Sequence, residues 1–235
     1  MRVAENIEML EVYTNNHGRI HPVLAWDDDN VVIIDTGYED ELDKIARTMV
    51  KELDFYLEDI TKILLTHQDL DHIGGANGIL ENSEKARVAA HELEAPYIQN
   101  EKQPERTTPF EFNSGRWTEQ LKESFQNPGS RSRSISVKVD ELLKDGDVLP
   151  ICGGIRVVHT PGHTVGHCAY FFEKSKILVC GDGFIVDPRG QAKMLEDGFA
   201  VNLAQAKMSF SRIMHYGANT LIAYHGGIPR SIPGR

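Results

Sequence analysis

Leu64-Leu65-Thr66-His67-Gln68-Asp69-Leu70-Asp71-His72-Ile73-Gly74-Gly75 follows directly on an apolar run, Ile60 to Thr66, that reads as a central strand. Four possible metal ligands fall within six residues here, His67, Asp69, Asp71 and His72. If the chain stays extended from Thr66 to Asp69, His67 and Asp69 point the same way, because side chains alternate along a strand. Asp71 and His72 then approach from the turn that follows. Loops at strand ends, held by a rigid sheet, are where functional groups concentrate. His-x-Asp-x-Asp-His arises by chance in roughly one chain per thousand or fewer. The plainer alternative is a solvated loop that happens to carry acids and histidines.

Upstream, Glu8 to Tyr13, Ile20 to Trp26 and Val31 to Ile34 read as strands, and Asp35-Thr36-Gly37 ends the third. Leu42, Ile45, Ala46, Met49, Val50 and Leu53 recur at helical spacing, which predicts a helix packed on a sheet by one face. Downstream, a helix is predicted from near Gly74-Gly75 and a strand at Arg87 to Ala90. Residues 95–134 break the rhythm and read as a helical or loop segment inserted over one edge, within a single domain of residues 1–235. Strands resume near Val137, Val148 and Ile155 to His159, then as a hairpin of Cys168 to Phe172 with Lys176 to Cys180. Asn202 is a fitting N-cap for a helix that presents Leu203, Ala206, Phe210, Ile213 and Met214, with Gly217 at its end. The last strand, Thr220 to Tyr224, runs into His225. Each half reads as strands, a helix and a strand, which predicts two sheets face to face with helices outside both.

Three further candidates sit just past strands: His163 in Thr160-Pro161-Gly162-His163-Thr164, Asp182 in Cys180-Gly181-Asp182-Gly183, and His225. Singly each is weak. With the first motif they make four histidines and three aspartates at strand ends, enough for two metals. His167 is expected to orient the loop carrying His163, and His17, His21, His91, His159 and His215 are expected to be ordinary surface or core residues. Tyr224 is expected to point away from His225, and the aromatics of 110–125 to cap the core.

The chain has 235 residues, 40% of them hydrophobic, which suits a globular protein with a substantial core. A net charge of −10 repels a phosphate backbone, so nucleic acid is not the expected partner. No apolar run reaches the ~20 residues that span a bilayer. The first residues are acidic where a signal peptide needs an apolar core, so a cytoplasmic location is expected. Cys152, Cys168 and Cys180 are too few for a disulfide framework and read as buried fillers.

Asp35-Thr36-Gly37, the His67 to His72 motif with Gly74-Gly75, Pro161-Gly162-His163-Thr164, Gly181-Asp182 and His225-Gly226 together resemble the metallo-β-lactamase fold superfamily. The resemblance spans nearly the whole chain. It implies an α/β fold, a four-layer αβ/βα sandwich with two facing mixed β-sheets, and a dinuclear site at the sheet edges. It implies that His67, Asp69 and His163 hold one metal, that Asp71, His72 and His225 hold the other, and that Asp182 bridges them. Asp71 and Asp182 are the implied catalytic carboxylates, and no organic cofactor is implied. The motif set specifies the fold far better than the substrate.

One position departs from the usual His-x-His-x-Asp-His pattern: Asp69 stands where the second histidine would be. Three carboxylates and one bridging hydroxide then balance two divalent ions, whereas the usual site keeps a net positive charge. A neutral site acidifies bound water less. A carboxylate in place of imidazole also moves preference toward manganese or iron, although zinc accepts Asp too and is the first of the three expected in the two divalent sites. The expected function is hydrolysis of an ester-like bond (lactone, thioester, ester or amide) in a small-molecule substrate by a metal-bridging hydroxide. The resemblance is to metallohydrolases of the glyoxalase II and lactonase-like type, but glyoxalase II relatives carry further C-terminal sequence for glutathione, acyl-homoserine lactonases a tyrosine where Ile185 stands, and β-lactamases an export signal, which weakens each of these specific assignments. The rivals are a non-haem iron oxidoreductase resembling persulfide dioxygenases, with His67, His163 and Asp182 as a two-His-one-carboxylate face, and a non-catalytic metal-binding or sensing module.

Overall fold

Alternation along each strand sends one set of side chains between two sheets and the other set outward under helices. The structure, a computed structural model, describes residues 1–14, 18–103, 135–194 and 199–231. In chain order the strands are β1 (Arg2–Ala4), β2 (Ile7–Met9), β3 (Val12–Tyr13), β4 (Arg19–Ile20), β5 (Val23–Trp26), β6 (Val31–Ile34), β7 (Lys62–Leu65), β8 (Arg87–His91) and β9 (Glu141–Leu143). They continue as β10 (Val148–Leu149), β11 (Ile155–His159), β12 (Cys168–Phe172), β13 (Ile177–Val179), β14 (Ile185–Val186), β15 (Ala192–Lys193) and β16 (Thr220–Ile222). The helices are α1 (Leu42–Leu53), α2 (Leu70–Ile73), α3 (Ala76–Asn82), α4 (Ala95–Ile98) and α5 (Leu203–Met214).

The first sheet has the order β1-β2-β5-β6-β7-β8-β9 and the second β10-β11-β12-β13-β16. Both are mixed: β6, β7, β8 and β9 pair in parallel, and in the second sheet β13 pairs in parallel with β16. Val32, Ile34 and Leu64 of the first sheet meet Cys168, Tyr170 and Phe172 of the second in one inner core. Their neighbours Ile33, Ile63 and Leu65 pack outward with Ile45 and Met49 of α1, and Ala169 and Phe171 pack outward with Ile213 and Met214 of α5. Tyr170 also donates its hydroxyl to the carbonyl of Leu65 at 2.8 Å, pinning one sheet to the other. The layers are helix, sheet, sheet, helix, the implied αβ/βα sandwich.

Several predicted elements shift. Residues 8–13 and 20–26 each break in two, because Pro22 has no N–H for the ladder and its carbonyl instead accepts from Leu10 N. Val137 is buried but lies outside the strands; its N–H closes the end of α4 on Ile98 O, and the strand begins at Glu141. Val50, predicted on the buried face of α1, is exposed. The N-cap is as predicted, with Asn202 Oδ1 accepting from Gln205 N. Of the segment expected at 95–134, residues 104–134 lie outside the described residues, as do His17 and the aromatics of 110–125.

Strand direction sets the place of the site. β6, β7 and β8 run one way, and β11, β13 and β16 share a direction because β12 is antiparallel to β11 and to β13. The six loops that leave their C-terminal ends carry Asp35, His67 to His72, Glu94, His163, Asp182 and His225. They meet at one edge: Cys168 N bonds Thr66 O, and Tyr224 N bonds Gly181 O. Among the described residues no helix is long and apolar enough to cross a membrane.

Candidate metal centre

Two donor groups lie side by side at this edge. His67, His163 and Asp182 form one, and Asp71, His72 and His225 the other, each offering ligand atoms within 4.8 Å of one another. Asp69 Oδ2 faces the first, 3.4 Å from His67 Nε2 and 3.3 Å from His163 Nε2. Asp182 spans both, with Oδ2 3.7 Å from His163 Nε2 and Oδ1 3.5 Å from both His72 Nε2 and His225 Nε2. Asp71 Oδ2 lies 3.1 Å from His225 Nε2. All seven residues singled out in the sequence are thus brought together.

Hydrogen bonds fix which ring nitrogen faces inward. His72 donates Nδ1–H to Asp35 Oδ2 at 2.8 Å, and His163 donates Nδ1–H to Phe199 O at 2.5 Å. Thr66 Oγ1 donates to Asp35 and lies 3.0 Å from His67 Nδ1, whose N–H it accepts. The three Nε2 atoms therefore point into the site, and those of His67 and His163 stand only 3.1 Å apart. His72 Nε2 and Asp182 Oδ1 are buried without a hydrogen-bond partner. Buried polar atoms are rarely left so, and converging lone pairs repel unless a cation lies between them. The donor set therefore fits divalent metal ions.

The electrostatics agree. Burial and then the neighbouring His72 hold His67 down at about 4, so it stays neutral. Burial opposes a proton on His72 and on His225, but Asp35 for the first and Asp182 for the second raise both above the usual imidazole range. Against the same burial, His225 and His72 keep Asp182 well below the carboxylate range, and His72 lowers Asp71.

Other residues build the frame. Asp35, at φ +60°, accepts from Thr66 N and Oγ1 and from His72, and so reaches both donor groups. His167 bonds Thr160 through Nδ1 and accepts Asp182 N–H on Nε2 at 3.1 Å; it holds the start of the His163 loop, as expected, and the backbone of Asp182 as well. Tyr224, expected to point away from His225, does not: the strand ends at Ile222, and the Tyr224 ring lies 5.2 Å from that of His225 and 4.0 Å from that of His72, with its hydroxyl donating to Asp71 O at 2.6 Å. His21 Nδ1 bonds Tyr224 O, and His91 stacks on His159 with ring centroids 4.2 Å apart. Cys152, Cys168 and Cys180 are free thiols, with Cys168 and Cys180 buried. Sequence reasoning missed Glu94, since nothing in His91-Glu92-Leu93-Glu94 separates the exposed Glu92 from the buried Glu94. A small recess, open to solvent, adjoins His163 and Asp182 and is lined by Met194, Ala200 and Ala206.

A family model described as the Metallo-beta-lactamase superfamily matches residues 17–225. The probable metallo-hydrolase YflN of Bacillus subtilis is 35% identical over 123 residues, covering 52% of this chain and 44% of that protein. The probable metallo-hydrolase YybB of the same species is 30% identical over 167 residues, covering 70% of this chain and 63% of that one. This chain thus spans about half the length of these two curated relatives. Hydroxyacylglutathione hydrolase GloC of Haemophilus influenzae is 29% identical over 208 residues, covering 85% and 86%. Among solved structures, a metallo-beta-lactamase family protein of Thermus thermophilus superposes with a TM-score of 0.71 at 22% identity, covering 98% of this chain and 77% of that one. A metallo-beta-lactamase from Pontibacter korlensis gives 0.68 at 17% identity, covering 97% and 91%. These two likenesses speak to the fold.

Proposed function

The chain belongs to the metallo-beta-lactamase superfamily, and from that membership we propose a metal-dependent hydrolase of ester-like bonds, with hydroxyacyl thioesters as the substrate class to try first. The observation that carries the reading is the pair of adjacent donor groups whose buried His72 Nε2 and Asp182 Oδ1 have no partner. His67, Asp69 and His163 would hold one ion, Asp71, His72 and His225 the other, and Asp182 both. Two divalent ions there, zinc before manganese or iron, would polarise a carbonyl and supply a nucleophile at neutral pH.

The chain's own residues do the rest. Asp35 keeps the Nδ1 protons of His72 and, through Thr66, of His67 in place, so both Nε2 atoms stay turned inward. Asp71 and Asp182 remain ionised and offer acceptors that orient an entering nucleophile. A hydroxyacylglutathione hydrolase matched over most of both chains supports the thioester, and weakens the argument against that class from C-terminal sequence. A net charge of −10 favours a small molecule over nucleic acid as the partner.

A second reading rests on one observation: His67, His163 and Asp182 are all buried and form a two-His-one-carboxylate set suited to iron redox chemistry. Elemental analysis of the purified protein, followed by thioester, lactone, ester and amide assays, separates the two. About two zinc or manganese ions per chain with thioester turnover is the expected outcome. Iron with oxygen uptake favours the second reading, and less than roughly half an equivalent of metal after supplementation overturns both.

A further inference from the structure

Glu94 leaves the end of β8 and enters the molecule at the start of α4, where it is fully buried. Among the described residues no lysine or arginine pairs with it. Its carboxylate instead accepts three hydrogen bonds: Oε1 from Gln68 N at 2.9 Å, and Oε2 from Thr164 Oγ1 at 2.9 Å and from Gly166 N at 2.8 Å. Gln68 lies between His67 and Asp69, and Thr164 follows His163. One carboxylate therefore joins the two loops that supply the first donor group, loops that are about a hundred residues apart in sequence and rise from different sheets. The fit leaves no slack, because a Cβ at Gly166 would stand 2.4 Å from Glu94 N and 2.8 Å from Oε2.

We propose that Glu94 is the positioning residue of the first donor group: its carboxylate sets the separation of the His67–Asp69 loop from the His163 loop before any ion arrives. Asp35 does the corresponding work chiefly for His72, so each half of the centre has its own buried carboxylate. Burying an acid without a cation is costly, and that cost is understandable where it holds two strands' ends in register for ligands. Glutamine cannot replace it. It offers one oxygen for donors on two sides, so an amide NH2 must face either Gln68 N–H or Gly166 N–H.

The inference rests on the metal-holding part of the function proposed above and is independent of the substrate. Metal-free protein is titrated with Co²⁺ at pH 8, where the Glu94 carboxyl is ionised, following the visible absorption bands and competition with a chelator. Two binding steps in the wild type test the metal reading; the difference between wild type and variant tests Glu94. Glu94→Gln is expected to weaken one step by roughly 10–100-fold and change its band positions, with the other step within about twofold. Glu92→Gln, an exposed neighbour, should change neither. If both steps weaken equally in Glu94→Gln, or neither does, the proposal is overturned, since loss of general stability would not choose between steps. Should Glu94→Gln fail to fold, Thr164→Val decides. It removes the Thr164 hydroxyl that donates to Glu94 Oε2, so a weakening of one step alone supports the proposal, and an unchanged titration or an equal weakening of both steps overturns it. A wild type that binds no Co²⁺ overturns the metal reading, and this proposal with it.

Discussion

Asp182 and Asp35 are both buried aspartates, but they stand in different relations to the histidines. Asp182 offers its oxygens to His72, His163 and His225 from inside the site, whereas Asp35 accepts His72 Nδ1–H from behind. Replacing a carboxylate that orients a ligand typically costs 10–100-fold, so Asp35→Asn should lower activity by roughly that factor. Asp182→Asn removes a charge and a donor shared by both groups, and should cost more, with metal released as well. Metal content and kcat/KM of the two variants check this; similar mild losses would contradict the assignment. Asp69 adds a second test at this scale. If it holds metal, Asp69→His removes one negative charge, which should shift preference toward zinc and move the rise of activity to lower pH. Coinciding pH–rate profiles with full metal in both proteins would remove Asp69 from the donor set.

At the scale of elements, close packing behind the motif gives a sharper stability test. Gly75 begins α3 where a Cβ would lie 2.3 Å from Thr36 O, so Gly75→Ala must push the His72 turn away from the Asp35 loop. A loss of about 1–3 kcal/mol in urea unfolding is expected, together with weaker metal binding. An alanine variant of unchanged stability would mean that the turn moves freely. The glycine was legible in the sequence as part of the motif, and so were the seven residues that the fold gathers at this edge, because ligand types at strand ends form a local pattern. The strands β6, β7 and β12 were equally legible as continuous apolar runs, since both of their faces are buried. Glu94 and Tyr224 were not. Both lie just past a strand's end, where side-chain alternation no longer applies and the tertiary neighbour alone decides the role. Pro22 did carry a usable signal, a missing N–H, and the broken strands follow from it.

The whole molecule closes around charge. The first half of the chain supplies His67, Asp69, Asp71 and His72, the second His163, Asp182 and His225, so bound ions would fasten one sheet to the other. Without ions, burial raises Glu94 from about 4.5 to about 7. A group whose folded pKa lies above its unfolded one contributes stability that is fully present below the unfolded value and is lost as pH rises through the folded one. Glu94 alone should therefore cost the metal-free protein on the order of 3 kcal/mol between about pH 4.5 and 8. His72 and His225, also raised, act in the same direction. The depressed Asp71 and Asp182 act oppositely, but their stabilisation is lost only as pH falls through the acid range. Ion binding replaces the protons of His72 and His225, so the stability it adds should grow over the same interval. Urea midpoints of chelator-treated and metal-loaded protein at pH 5, 6, 7 and 8 test both halves of the argument. The metal-free midpoint should fall with pH, the gap to the loaded protein should widen, and Glu94→Gln should flatten the metal-free curve. A metal-free midpoint that is constant or rises from pH 5 to 8 would show that burial does not dominate at Glu94 and that the histidines enter the site unprotonated.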